Sequence, residues 1–427
     1  MASHLALWAV TLAVVTVGCG GSPGAPTADG PPPTDTASVD VAAAVDAARD
    51  AAPDVEAPDA LPPDDGGADD GPAPAFYPPS QRGPYETGVF QAQPYDAVRS
   101  RLVPLFVWYP ATGPGTSRIN YGMVLQGGAW QDAPPATADG PFPVVLFSHG
   151  FKGIAFQSFS LTEYLASHGF LVVAPNHQGN TLWDFTSTDE DVAQVTLQRP
   201  KDIGFAYGKV VEYAATPGHV LAGLADGTRA AVTGHSFGGF TTLIVAGAVA
   251  DMDRAKQACA QGVAADIFCP YVSYYAPGTA LTMNPRIPGL RAMIAYAPGG
   301  YNAMFDDGLA AVYVPGLVMG GTEDTTCPLD LETRPIYTPL PRPKAKAELG
   351  GATHMSFTNI CSIPAAQLIF GDMCQATMTE QRAFAIVNTL STAYLRRHVN
   401  DELAMDAYLA DAYVQAVFAE VAWLLEP

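Results

Sequence analysis

The stretch RAAVTGHSFGGFTTLIVAGAVA, residues 229–250, constrains this chain more than any other. A β-type apolar run, 229–236, passes directly into an apolar helical run through Gly234-His235-Ser236-Phe237-Gly238-Gly239. A strand that becomes a helix so abruptly leaves almost no room for side chains flanking the serine, which is why glycines stand there. The turn forces Ser236 into a strained backbone and lifts its hydroxyl above the sheet edge. The helix beginning beneath it presents unpaired N–H groups and partial positive charge, suited to an oxyanion. The pattern G-x-S-x-G is short, but between a buried strand and an apolar helix it marks a nucleophile.

The surrounding chain repeats strand, loop and helix. Apolar runs predict strands at 105–110, 143–151, 170–177, 229–236, 292–298, 316–324 and 344–354. Helical spacing appears in FQSFSLTEYLASHGF, in a helix opened by Pro200, after the Ser236 turn, and in AFAIVNTLSTAYLRRH, where Thr377-x-x-Glu380 reads as a capping box. This alternation predicts an α/β fold with a mainly parallel central sheet and helices on both faces. The segment 251–291, between the Ser236 helix and the next strand, is an insertion in that rhythm and a candidate lid or edge excursion.

A serine hydroxyl attacks only when a base takes its proton. In this architecture the order along the chain is serine, acid, histidine, with the histidine on the loop after the last strand. Of eight histidines, only His354 in GGATHMSF meets both conditions. His4 lies in the leader, His149 and His235 flank tight turns, and His168, His177 and His219 precede the serine. His398 ends a helix. The acid is Asp324, closing GGTED after a strand, with Glu323 beside it as the alternative. Asp306 and Asp307 precede that strand, and Asp330 is farther along the loop. An oxyanion needs two backbone N–H donors: those expected are Phe237, after the nucleophile, and Phe151, in SHGF after an earlier strand. Trp183 and Phe185 are candidates for an aromatic substrate wall.

Charge and leader sequence narrow the setting. The chain carries 21 basic and 42 acidic side chains, a net charge of −21, which does not make the cationic footprint of a nucleic-acid binder. Leu5–Gly18 is an apolar run with the length of a signal-peptide core, and Cys19 follows small residues, resembling the lipidated cysteine of bacterial lipoproteins. Plain secretion is the alternative. Thus 1–18 is expected to be a signal peptide and 19–75 a disordered Ala/Pro/Asp-rich tether, acidic throughout with Arg49 as its single base. Residues 76–427 are expected to be the folded domain, outside the cytoplasm and either lipid-anchored to a bacterial membrane or secreted, with any membrane contact made only through the N-terminal anchor.

The constellation WYP, FSHGF, PNHQGNT, RPKDI, GHSFGG, GTED and GATHMSF resembles the α/β-hydrolases of the platelet-activating-factor acetylhydrolase and dienelactone-hydrolase-like group. It is also similar to bacterial cutinases and polyester hydrolases. The likeness runs over about residues 83 to 400. It implies an α/β-hydrolase fold, a Ser236–Asp324–His354 triad and oxyanion donors at Phe151 and Phe237. Dienelactone hydrolase itself uses a cysteine nucleophile, and serine stands here. The activity implied is hydrolysis of a small-molecule, lipid or polymer ester through an acyl-enzyme, with no cofactor and no metal. A non-catalytic surface binding lipoprotein and a peptidase on the same fold are the alternatives.

Five cysteines fall in the folded part. Cys259 and Cys269 lie close together within the insertion and are expected to pair. For Cys361, local pairing with Cys374 is preferred over pairing with Cys327. The second choice would tie the acid loop to the base loop, as in some polyester hydrolases.

Overall fold

The computed structural model describes residues 76–427 apart from 123–124, 263–267, 364–365 and 368–369. The expected signal peptide, Cys19 and the tether lie outside the described residues.

Eleven strands form one sheet: β1 (Glu86–Ala92), β2 (Leu105–Ala111), β3 (Ser117–Tyr121), β4 (Leu125–Gln131), β5 (Phe142–Ser148), β6 (Leu171–Pro175), β7 (Ala225–His235), β8 (Leu290–Tyr296), β9 (Gly316–Gly321), β10 (Lys344–Leu349) and β11 (Val421–Glu426). Their spatial order is β11-β10-β9-β8-β7-β5-β6-β2-β1-β4-β3. From β6 to β10 every neighbouring pair is parallel. The antiparallel pairings β2/β6, β1/β2 and β3/β4 extend one flank, and β10/β11 closes the other.

Alternation along the buried strands sends side chains to two cores. Val144, Leu146, Val173 and Val232 pack on one face with Ile203 and Val210 of helix α2 (Asp189–Ala215) and Leu243 and Ile244 of helix α3 (Phe237–Val245). Val145, Phe147, Val172 and Ile294 pack on the other with Leu161 and Leu165 of α1 (Phe159–Ser167). Ile386 and Leu390 of the long helix Glu380–Val399 join them there. Every residue of β5 and β6 is buried, as continuous apolar runs covered by helices on both sides require. This is the α/β-hydrolase arrangement.

Several local expectations change. The strands at 143–151, 316–324 and 344–354 stop at Ser148, Gly321 and Leu349, so the residues beyond them become the loops that carry function. Pro200 does not open α2 but lies inside it. The true start is Thr188, whose side chain accepts from Asp191 N while its own N–H donates to the Asp191 carboxylate. Three acidic residues in the first turn add favourable charge at the helix N-terminus. The long helix is capped by Thr379 rather than Thr377. Thr377 is drawn away by Glu323, to which it donates from both its hydroxyl (2.7 Å) and its N–H (3.1 Å).

The insertion holds a helix, Met252–Ala260, a 3-10 turn, Val272–Tyr274, and a short antiparallel pairing of Ala250–Asp251 with Ala280–Leu281. Disulfides join Cys259 to Cys269 and Cys361 to Cys374, with Cα separations of 5.4 and 5.5 Å. Cys327 is buried and belongs to neither.

Candidate active site

Ser236 sits at the tip of β7 with φ 57° and ψ −119°, a strained conformation for a residue with a side chain. Two neighbours make the turn passable. A Cβ on Gly238 would lie 1.9 Å from Ser148 O, and one on Gly234 would lie 2.3 Å from Gly238 O. Ser236 N–H donates to Tyr296 O at 2.8 Å, which fixes the turn to the end of β8.

Asp324, beyond β9, and His354, beyond β10, meet at the same end of the sheet. His354 Nδ1 lies 2.8 Å from Asp324 Oδ2. The other carboxylate oxygen accepts N–H bonds from Thr326 (2.8 Å) and Cys327 (2.7 Å). Burial alone would raise the Asp324 pKa. The His354 bond and charge, with the two amides, outweigh that and hold it below the ordinary range. Glu323 is engaged with Thr377 instead, so of the two acids it is Asp324 that faces the histidine.

Phe151 lies in the loop after β5, with its ring 45% exposed and 6.4 Å from that of Phe237. Among the described residues, the amides of Phe151 and Phe237 have no hydrogen-bond acceptor. The peptide carrying the Phe151 N–H is held through its opposite end, since Gly150 O accepts from Gly153 N (3.1 Å) and His149 Nδ1–H (2.8 Å). In a planar trans peptide, fixing the carbonyl fixes the N–H. Burial, reinforced by Arg199, keeps His149 neutral.

Below this loop is a polar layer that sequence reading did not find. Arg199 of α2 is fully buried. It donates to Thr241 (3.0 Å), Asn180 (3.0 Å), Ser148 (3.1 Å) and the carbonyl of His149. Its guanidinium lies 4.5 Å from the Phe237 ring centroid. Burial pushes its pKa down to about 9. Ser148, His177 and Asp202 form a second Ser-His-Asp line, with both links at 3.0 Å. All three side chains are fully buried, so they brace the loop and present nothing to a substrate. His177 is therefore scaffold. The signal in the sequence was the trio of motifs FSHGF, PNHQGNT and RPKDI, which carry these residues but do not show that they meet.

Ser236 opens into a cavity of about 240 Å³ lined by Phe151, Phe237, Phe268, Tyr271 and Thr326. Phe268 and Tyr271 come from the insertion. The Phe268 ring packs 5.6 Å from Phe237, and Tyr271 stacks 6.3 Å from Phe151. Trp183 and Phe185 are 64% and 76% exposed and do not line this cavity. Phe268 and Tyr271 of the insertion, not the 183–185 loop, complete the aromatic wall begun by Phe151 and Phe237. Met373, inside the Cys361–Cys374 loop, accepts from Thr353 through its carbonyl (2.6 Å), and its sulfur meets the Thr326 hydroxyl (3.3 Å). The local disulfide thus braces the loops of Asp324 and His354 without joining them covalently. Among the described residues there is no cluster of His, Cys, Asp and Glu fit to hold a metal.

The family model described as Chlorophyllase matches residues 133–263, from the approach to β5 through the Ser236 turn and into the insertion. Cutinase 1 of Thermobifida cellulosilytica is 24% identical over 282 residues, 66% of this chain and 77% of that protein. Cutinase est2 of Thermobifida alba is 26% identical over 218 residues, covering 50% and 53%. A protein named Bis(hydroxyethyl) terephthalate hydrolase, from Streptomyces coelicolor, is 27% identical over 249 residues, covering 58% and 61%. Parallel sheet, serine turn and these likenesses agree: the chain has the α/β-hydrolase fold and resembles the cutinases and the terephthalate-ester hydrolase.

Proposed function

We propose that this protein is a serine carboxylic-ester hydrolase working through Ser236, His354 and Asp324. Ser236 Oγ attacks the ester carbonyl as His354 Nε2 takes its proton. Asp324 holds the Nδ1–H and stabilises the imidazolium. The amides of Phe151 and Phe237 receive the oxyanion. His354 returns the proton to the leaving alcohol, and water then releases the acid from the acyl-enzyme by the same relay. The observation that carries this reading is the His354–Asp324 pair at 2.8 Å, at the same end of the sheet as a serine held at positive φ in the wall of an aromatic-lined cavity.

The substrate class follows from that cavity. Its size and apolar lining suit a short or aromatic acyl group rather than a long straight chain. The cutinase relatives and the relative named for a terephthalate ester support the polyester side of the resemblance. The platelet-activating-factor side rests on sequence motifs alone. Two disulfides fit work outside the cytoplasm. Export there through the N-terminal leader, with Cys19 as lipid anchor, completes the proposal. A p-nitrophenyl ester chain-length series, run beside phospholipid and polyester substrates, tests it. The expectation is turnover that falls off with acyl length and is measurable on an aromatic polyester. Amide hydrolysis without ester hydrolysis would favour a peptidase, and no turnover at all a binding protein.

A further inference from the structure

Gln157, just before α1, touches all three segments that meet at Ser236. Its Oε1 accepts from Gly150 N at 3.1 Å, one residue before the Phe151 donor. Its Nε2 lies 3.1 Å from His235 Nδ1, one residue before the nucleophile. Its backbone carbonyl accepts from Asn359 N at 2.7 Å, in the loop of the base. His235 continues the line, with Nε2 2.8 Å from the backbone carbonyl of His354.

The chemistry fixes every role. The His354 carbonyl can only accept, so His235 carries its proton on Nε2. Its Nδ1 is then a lone pair, which takes an N–H from the Gln157 amide. The amide oxygen is left for Gly150. Both side chains are buried, so no water substitutes for a lost partner. Burial first, and then His354, push the His235 pKa down to about 3, which keeps the ring neutral.

We propose that Gln157 is a positioning residue for the reaction: through Gly150 and through His235 it sets the oxyanion donor and the catalytic base in register with the nucleophile. The proposal rests on the ester-hydrolase reading above. That reading is tested on the wild-type enzyme alone, so its failure is separately visible as no ester turnover by the wild type.

Gln157→Leu and Gln157→Glu test the proposal in the full chain, with a p-nitrophenyl ester and an aryl trifluoromethyl ketone, which forms a tetrahedral adduct on the serine. Gln157→Leu orphans Gly150 N and His235 Nδ1. A misplaced donor approaches the effect of a removed one, so kcat should fall by about 10- to 100-fold with KM little changed. Affinity for the ketone should fall by the same factor as kcat/KM. Gln157→Glu keeps the acceptor for Gly150 but turns a carboxylate oxygen toward the His235 lone pair. One added proton, on either group, restores that link. The titratable groups facing His235 are His354, with ring centroids 4.7 Å apart, and Asp324 behind it. Phe357 and Gly150 close the other sides. Both variants keep His354 and Asp324, so the activity of Gln157→Glu relative to Gln157→Leu should rise as pH falls. A mere packing defect gives a ratio independent of pH. If Gln157→Leu does not fold, the ratio of Gln157→Glu to wild type decides. A Gln157→Leu enzyme with kcat within about twofold of wild type, a loss confined to KM, or a pH-independent ratio overturns the proposal.

Discussion

Asp324→Asn exposes the logic of the site because the carboxylate does three jobs at once. One oxygen accepts the amides of Thr326 and Cys327, and the other faces His354 Nδ1 at 2.8 Å. An asparagine has one acceptor oxygen and an NH2 group. If the oxygen keeps the two amides, the NH2 points at Nδ1 and forces the imidazole into its other tautomer. Nε2 then carries a proton and cannot take one from Ser236. If the side chain flips, two buried amides are orphaned at about 1–3 kcal/mol each. The tautomer switch is the cheaper outcome, so the variant should fold and lose about 10⁴-fold in kcat. Its stability should fall by only about 1–3 kcal/mol, from weaker amide bonds and the lost charge. That loss has a pH signature. Folding lowers the Asp324 pKa, so the carboxylate's contribution is complete above its unfolded value of about 3.9. It disappears as pH falls through the lower folded value. The stability gap between wild type and Asp324→Asn should therefore close in acid. Glu323→Gln disturbs only the bonds to Thr377, of which its one amide oxygen can keep one, and should keep nearly full activity. Ester kinetics with denaturant melts between pH 3 and 8 make the assay. An Asp324→Asn enzyme within about tenfold of wild type, or an equal loss in Glu323→Gln, would refute the reasoning.

Three further outcomes follow from the same geometry. Ser236→Ala and Ser236→Gly should both abolish turnover and fluorophosphonate labelling, yet Ser236→Gly should be the more stable by about 1 kcal/mol, because glycine relieves φ 57°. Equal melting of the two would mean the turn stores no strain. Replacing Cys259 and Cys269 by serine removes about 2–4 kcal/mol of local restraint from the segment carrying Phe268 and Tyr271. KM and acyl-length preference should then shift more than kcat, whereas unchanged preference would remove the insertion from substrate binding. If Cys19 is lipidated, the expressed protein should partition into detergent and Cys19→Ala should not. A mature N-terminus downstream of Cys19 without acyl mass contradicts the anchor.

What the sequence could show depended on how local the signal was. The Ser236 turn was legible because a strand, a turn without side chains and a helix follow one another within the RAAVTGHSFGG run. The fold followed because buried parallel strands are continuous apolar runs. Chain order pointed to the His354–Asp324 pairing that the structure shows, although spacing alone left Glu323 open. Only Thr377, more than fifty residues away along the chain, shows which acid is free to turn inward. The flanking strands β1, β3 and β4 were missed because they are partly exposed and carry no continuous apolar run. The lining of the cavity at Ser236 was hidden for a related reason. Trp183 and Phe185 neighbour a conspicuous motif, but Phe268 and Tyr271 reach Ser236 by a fold-back of the insertion that no local pattern announces. The roles of Gln157 and Arg199 could not be read from the sequence because each acts by joining segments distant along the chain.

The central claim is that Ser236 becomes acylated during ester turnover. Mass spectrometry of the full-length enzyme, quenched during hydrolysis of a p-nitrophenyl ester that deacylates slowly and then digested, measures this directly. The predicted result is the acyl mass on the peptide containing Ser236, appearing with a burst of p-nitrophenol and absent from Ser236→Ala. Ester turnover with the acyl group on another residue, or undiminished turnover by Ser236→Ala, would contradict the account.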